Sequence, residues 1–131
     1  MSEPSTYALV AEDDIIIALM IEEALSDTGL QVAVTHSGDQ AIAVLESDVR
    51  HQLLITDIRL GDGTQGWAVA ARARTLHPEI QVIYITGDSM DDWRAKGVPQ
   101  SVLLGKPFLP EQIVTAAMSL LNQPEAQTTA D

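Results

Sequence analysis

Short apolar runs alternate along the chain with longer segments of helical periodicity. Five of these runs predict buried strands, at Tyr7–Ala11, Gln31–Thr35, Gln52–Thr56, Gln81–Ile85 and Ser101–Leu104. The segments between and after them predict helices, at Asp14–Thr28, Gly38–Ser47, Trp67–His77, Ser89–Lys96 and Pro110–Asn122. Five strands that alternate with five helices are typical of an α/β fold, with a doubly wound parallel sheet and helices on both faces.

Composition narrows the class of protein. The 131 residues are enough for one domain, and 46% of them are hydrophobic, which is ordinary for a folded chain. The net charge of −12 argues against nucleic-acid binding and against docking on anionic lipid, because both need clustered Lys and Arg. Since the chain has no cysteine, disulfides, thiol catalysis and thiolate metal sites are excluded.

The apolar runs and the chain ends bear on localisation. No run approaches the roughly 18 apolar residues that a membrane span needs, and the polar N-terminus is unlike a signal peptide. We therefore expect a soluble, cytoplasmic protein with one domain over residues 7–122. Residues 1–6 are expected to be a flexible N-terminus, and residues 123–131 a polar tail.

Polar side chains with useful chemistry follow four of the predicted strands. Ligands of open α/β sheets bind outside the carboxyl ends of the strands. The residues at these ends are Glu12, Asp13 and Asp14 after the first strand, Asp57 at the third, Thr86 at the fourth and Lys106 after the fifth. Clustered carboxylates without His or Cys favour a hard cation such as Mg²⁺. A lysine, a hydroxyl and a nucleophilic aspartate are the usual parts of phosphoryl transfer.

Several of these residues also have ordinary structural interpretations. Asp14 suits the N-cap of the first predicted helix, Thr86 suits a turn, and Lys106 suits a solvated surface. Their joint placement at strand ends favours the functional interpretation.

The remaining conspicuous residues are interpreted structurally. His36, His51 and His77 lack metal-ligand spacing and are expected on the surface or in loops. Trp67 is expected to pack, as is Trp93, for which contact with a partner is the alternative.

Four sequence segments resemble the receiver domain of bacterial two-component response regulators. They are VAEDD (Val10–Asp14), LLITDIRL (Leu53–Leu60), VIYITGD (Val82–Asp88) and GKPF (Gly105–Phe108). No single segment is diagnostic, but their order and spacing are highly specific, and the resemblance covers Tyr7 to about Leu121. It implies a flavodoxin-like sheet with strand order 2-1-3-4-5.

The resemblance also implies roles for the residues at the strand ends. Asp57 would be the phosphoacceptor, attacking a phosphohistidine on a histidine kinase or a histidine phosphotransfer protein. Asp13 would bind Mg²⁺ directly together with Asp57, Glu12 would act through water, and the backbone carbonyl of Arg59 would complete the protein ligands. The implied activity is that of a signalling module, which promotes only its own phosphorylation and dephosphorylation and changes its binding to an unidentified protein target.

Two further residues would contact the phosphoryl group, by the same resemblance. Thr86 would hydrogen-bond a phosphoryl oxygen and shift inward on phosphorylation, and Lys106 would pair with the group. The Lys106–Pro107 peptide would be cis.

The chain departs from the family pattern at three points. Leu103 stands where receivers usually carry Tyr or Phe, which puts a rotating aromatic switch in doubt. The loop after Asp57 has Gly61 and Gln65 where Pro and Gly are usual in the family. The glycine comes one residue later, at Gly66, so the loop is expected to be one residue longer than in other receivers. No output domain follows, which is typical of a stand-alone receiver, although a receiver cut from a longer protein would have the same sequence.

Other functions are weighed against the receiver. A phosphohydrolase with an aspartate nucleophile would need a second acid two residues after Asp57, where Arg59 stands. A constitutive receiver-like binding module would lack a key side chain, and none is missing. A nucleotide-binding domain would need a glycine-rich loop after the first strand.

Two hypotheses concern the surroundings of the site. Arg59 and Asp88 could pair as a gate that hinders attacking water, with two independent solvated charges as the alternative. On the first helix, Ile15 and Leu19 fall opposite the predicted packing face, which holds Ile17, Met20, Ile21, Ala24 and Leu25. The resemblance implies docking of the phosphodonor there, and a homodimer face is the rival hypothesis.

Overall fold

A computed structural model describes residues 5–87, 93 and 96–122 of the chain. It contains five strands, β1 (Tyr7–Ala11), β2 (Gln31–Thr35), β3 (Leu53–Asp57), β4 (Gln81–Thr86) and β5 (Val102–Gly105). In the described ranges these are flanked by four helices, α1 (Ile15–Ser26), α2 (Gly38–Leu45), α3 (Gly66–Leu76) and α4 (Pro110–Leu121). Their ends agree with the predicted ones within two residues. The helix predicted at Ser89–Lys96 falls mostly outside the described residues.

The five strands form one parallel sheet in the order β2-β1-β3-β4-β5, which confirms the predicted fold class and strand order. Alternate residues of each strand point to opposite faces, so each inner strand supplies two apolar cores. One core packs the sheet against α2 and α3, and the other packs it against α1 and α4. This two-sided burial explains why the strand sequences lack polar alternation. None of the helices in the described part of the chain is long and apolar enough to span a membrane.

Helix α1 is capped by Asp14 and has one buried face. The Asp14 carboxylate accepts hydrogen bonds from the N–H groups of Ile16 and Ile17 at 3.0 and 3.1 Å, which confirms its predicted capping role. The predicted packing face is confirmed too, since Ile21 and Leu25 are fully buried. The opposite face carries three exposed apolar side chains, called here the α1 patch: Ile15, Ile16 and Leu19, with exposed fractions of 70%, 78% and 51%.

Two glycines let helices approach the loop between β3 and α3. A Cβ added to Gly66 would overlap the carbonyl oxygen of Asp57, so α3 begins against the end of β3. A Cβ on Gly38 would overlap the carbonyl oxygen of Thr64, so α2 begins against the same loop. The loop is therefore enclosed by two helix starts.

The expectation of surface or loop positions holds for all three histidines, but two of them are not on the surface. His51 and His77 do lie in loops, but both rings are buried, at 3% and 9% exposure. The His51 ring packs edge-on against Tyr7, and His77 Nε2 lies 3.1 Å from the carbonyl oxygen of Leu45. The cause is tertiary, because residues distant in sequence cover both rings. His36 is exposed, as expected.

Both tryptophans pack against the core under α2 and α3, as expected. The Trp67 ring lies 4.8 Å from the buried ring of Tyr84, measured between centroids. Trp93 is half-buried and donates its indole N–H to Ser101 Oγ at 2.9 Å.

Candidate functional site

The carboxyl ends of the strands meet at one edge of the sheet. Ala11 pairs with Thr56, Asp57 with Ile85, and Thr86 with Gly105, so the residues that end or follow these strands become neighbours. Glu12, Asp57 and Thr86 are buried at 0%, 6% and 5% exposure, whereas Asp13 is exposed. The parallel register is therefore what gathers side chains from distant parts of the chain.

Three carboxylates form an acidic group at this edge. One carboxylate oxygen from each of Glu12, Asp13 and Asp57 lies within 4.8 Å of the other two. Glu12 Oε2 accepts the N–H of Asp14 at 3.0 Å, while the buried Oε1 has no hydrogen bond and lies 3.3 Å from Lys106 Nζ. The group therefore places three carboxyl groups beside one ammonium.

The environment of Glu12 strongly disfavours its charge. Burial raises its pKa to about 7, and the neighbouring charge of Asp57 acts in the same direction. The hydrogen bond from the Asp14 N–H and the charge of Lys106 oppose this rise. A cation bound beside Glu12 would stabilise the ionised form.

Lys106 supplies a positively charged side chain to the site. Its Nζ lies 2.8 Å from Asp57 Oδ2, and its side chain is 24% exposed. Desolvation alone would lower the pKa of Lys106, but its hydrogen bond to Asp57 and the charges of Asp57 and Glu12 outweigh this, so the pKa is raised. Lys106 therefore remains protonated and holds the Asp57 carboxylate in place.

Backbone hydrogen bonds connect Arg59 and Thr86, two further predicted site residues, to this group. The Arg59 N–H donates to Asp57 Oδ1 at 3.3 Å, so the start of the β3–α3 loop is tied to the carboxylate. The carbonyl oxygen of Thr86 accepts the N–H of Lys106 at 2.7 Å, and the Lys106–Pro107 peptide is cis, as implied. Asp88 lies outside the described residues, so the gate between Arg59 and Asp88 stays a prediction.

Two residues near the site make contacts that were not foreseen from the sequence. His36 Nδ1 lies 3.0 Å from the carbonyl oxygen of Glu12. Gln65, noted in the sequence only as a departure from the family pattern, bonds to three backbone groups of the β3–α3 loop. A glutamine directly before a helix, after a loop containing two glycines, is the one sequence signal that could have indicated this role.

The donor set suits a hard divalent cation. All three side chains of the acidic group supply carboxylate oxygens, and Mg²⁺ prefers a small number of carboxylates with waters completing an octahedron. One buried oxygen, Glu12 Oε1, has no hydrogen-bond donor in the described structure. The residues present therefore fit Mg²⁺ as the sequence predicts.

A family model supports what the fold and site indicate. The model of the response regulator receiver domain matches residues 8–118 of this chain. The chain therefore belongs to the response regulator receiver family, as the resemblance of its four segments implied.

Individual relatives agree with this assignment. The chain is 31% identical over 122 residues to the alginate biosynthesis transcriptional regulatory protein AlgB of Pseudomonas aeruginosa, covering 92% of this chain and 27% of AlgB. It is 28% identical over 114 residues to the phyllosphere-induced regulator PhyR of Methylorubrum extorquens, covering 86% of this chain and 42% of PhyR. The chain thus spans less than half the length of these curated relatives.

A solved structure extends the similarity to three dimensions. The response regulator receiver protein from Sinorhizobium medicae is 38% identical, with a TM-score of 0.88. The match covers 92% of this chain and 98% of that one. The similarity therefore spans nearly the whole of both chains.

Proposed function

We propose that this receiver takes a phosphoryl group from a phosphohistidine donor onto Asp57, with Mg²⁺, and thereby changes its binding to a protein partner. The observation that carries the proposal is the environment of Asp57. Its carboxylate is buried, lies 2.8 Å from Lys106 Nζ, and belongs to the acidic group with Glu12 and Asp13. An aspartate nucleophile beside a fixed ammonium and a cation-binding group suits phosphoryl transfer.

The transfer exchanges one bond to phosphorus for another. An Asp57 oxygen forms the new P–O bond, while the P–N bond to the donor imidazole breaks and the imidazole leaves as a neutral ring after taking up a proton. Lys106 contributes positive charge beside the arriving oxygens, and the Thr86 hydroxyl would hydrogen-bond one of them. Mg²⁺, held by Asp13, Asp57 and the Arg59 carbonyl, with Glu12 acting through water, would neutralise charge on the transferred group.

The α1 patch is the proposed docking surface for the donor. Ile15 follows Asp14 directly and lies two residues from Asp13, so the patch borders the acidic group. Exposed apolar side chains on consecutive turns of a helix suit contact with another helix. We infer that a histidine kinase or a histidine phosphotransfer protein packs a helical surface here, which would bring its phosphohistidine to Asp57.

The output of the protein is proposed to be contact with another protein. The net charge of −12 disfavours a nucleic-acid target, and relatives such as AlgB, named as a transcriptional regulatory protein, are much longer than this chain. The unit that carries the function is proposed to be the domain at residues 7–122.

Incubation with Mg²⁺ and a small phosphodonor, followed by intact mass measurement, tests the proposal. One added phosphoryl group is expected on the wild-type chain and none on Asp57→Asn, which keeps the shape of the side chain but removes the nucleophile. A phosphoryl group retained in Asp57→Asn would contradict the assignment. Steady phosphate release without an adduct would favour the phosphohydrolase, and no reaction would favour the constitutive binding module.

A further inference from the structure

The loop between β3 and α3 closes around the side chain of Gln65. Gln65 Oε1 accepts a hydrogen bond from the Leu60 N–H at 3.0 Å. Gln65 Nε2 donates to the carbonyl oxygens of Gly61 at 2.8 Å and Gly63 at 3.0 Å. A side-chain amide has one acceptor oxygen and two N–H donors, so both ends of this amide are used within the loop.

The hydrogen bond to Leu60 fixes the direction of a carbonyl group. The Leu60 N–H and the Arg59 carbonyl belong to one planar trans peptide unit and therefore point in opposite directions. By holding the N–H, Gln65 directs the Arg59 oxygen to the side away from itself. The preceding peptide unit is held as well, because the Arg59 N–H donates to Asp57 Oδ1.

Two glycines give the loop conformational freedom that the Gln65 side chain restricts. Gly61 and Gly63 have φ angles of +74° and +89°, in the left-handed region that glycine enters freely, and glycine has the most conformational freedom to lose on folding. The loop also reaches the acidic group, since a Cβ on Gly61 would lie 3.7 Å from Asp13 Oδ2. Movement of the loop would therefore change the surroundings of the acidic group.

We propose that Gln65 is a positioning residue for the cation, acting through the Arg59 carbonyl. The inference rests on the proposed function, in which this carbonyl is a Mg²⁺ ligand. Gln65 does not touch the cation and orients a group that does. Loss of such an outer partner typically weakens metal binding by about 10- to 100-fold.

Calorimetric titration of the full chain with Mg²⁺, without any phosphodonor, tests the inference. Gln65→Met keeps the length of the side chain but removes all three hydrogen bonds, and we expect Mg²⁺ to bind about tenfold more weakly. Gln65→Asn keeps the amide but is one methylene shorter, so the same weakening is expected. It also serves as the test if Gln65→Met fails to fold.

Gln52→Met is the matched control. Gln52 Oε1 accepts the Tyr7 N–H at 2.6 Å, at the amino-terminal edge of the sheet. This variant also loses a bond from a glutamine side chain to the backbone, but its Mg²⁺ affinity should equal that of the wild type. Thermal unfolding of all variants measures any general destabilisation.

The outcomes separate this inference from the proposed function. Wild-type Mg²⁺ affinity in the Gln65 variants would overturn the inference while leaving phosphorylation of Asp57 intact. An equal loss of affinity in Gln52→Met would also overturn it, because the effect would then be general. A wild-type chain that binds no Mg²⁺ and accepts no phosphoryl group would overturn both.

Discussion

Replacement of Gly66 by alanine tests how closely α3 is held against the end of β3. Gly66 is the first residue of α3, and its N–H donates to the Ile58 carbonyl oxygen at 2.8 Å. A Cβ here would lie 2.8 Å from Ile58 Cα and 3.0 Å from the carbonyl carbon of Asp57. These neighbours are backbone atoms, which cannot rotate out of the way as a side chain can.

The expected cost follows from these distances. Carbon atoms in contact normally lie about 3.5–4.0 Å apart, so the start of α3 would have to move by at least roughly 0.7 Å, and further to clear the Asp57 carbonyl oxygen. Overpacking of this kind costs about 1–3 kcal/mol in the free energy of unfolding, and contact with backbone favours the upper part of that range. Alanine recovers up to about 1 kcal/mol through its better helix propensity. We therefore expect a net loss of about 2 kcal/mol, or a decrease in Tm of about 8 °C for a domain of this size.

Urea unfolding followed by far-UV circular dichroism measures the loss, and avoids the fluorescence of the adjacent Trp67. Gly87→Ala is the control, because a Cβ at Gly87 meets nothing within 4 Å among the described residues and its φ is not left-handed. The control should remain within about 0.5 kcal/mol of the wild type. If Gly66→Ala is as stable as Gly87→Ala, the close approach of α3 to the end of β3 is not a constraint on the fold.

Two further predictions concern the α1 patch and the buried histidines. The double variant Ile15→Ser and Leu19→Ser should slow phosphoryl transfer from a protein donor but not from a small phosphodonor, which needs no docking. Equal loss of transfer by both routes would show that the patch is structural. If the wild type is a dimer and the variant is a monomer with normal transfer, the homodimer interpretation is favoured. Burial and the charge of His77 lower the pKa of His51, so the unfolded chain binds the proton more readily than the folded one. The contribution of His51 to the free energy of unfolding is therefore fully present above its unfolded pKa of about 6.5. It is lost as the pH falls towards the folded pKa, by up to about 1.4 kcal/mol per pH unit. His51→Leu should show a smaller loss of unfolding free energy between pH 7.5 and 5.5 than the wild type, and an identical loss would refute the assignment.

The fold could be predicted from the sequence because the pattern of apolar residues in each segment agrees with the architecture of the whole domain. Runs such as Leu53–Ile55 are apolar on both sides of the strand, which is expected when both faces of the sheet are covered. The cap at Asp14 could also be predicted, because an N-cap depends on groups two or three residues away. The same holds for the placement of acids after the strands, since parallel strands end at one edge of a sheet.

Properties that depend on distant neighbours could not be predicted this way. Burial of His51 and His77 comes from packing against Tyr7 and the carbonyl of Leu45, which the sequence around each histidine does not reveal. The raised pKa of Glu12 needs both its burial and the approach of Asp57. Each of these effects requires atoms from separate parts of the chain to come within a few ångströms.

The β3–α3 loop shows the same division within a single segment. The sequence marks it as an unusual loop, because Gly61, Gln65 and Gly66 depart from the family spacing. Only the tertiary structure shows that Gln65 turns back to hold the loop and that Gly66 is pressed against Asp57. The sequence determined which elements form and which side chains lie at their ends, since these follow from short-range periodicity and capping. The tertiary structure decided burial, charge state and the orientation of backbone groups, because these depend on contacts that only the folded chain makes.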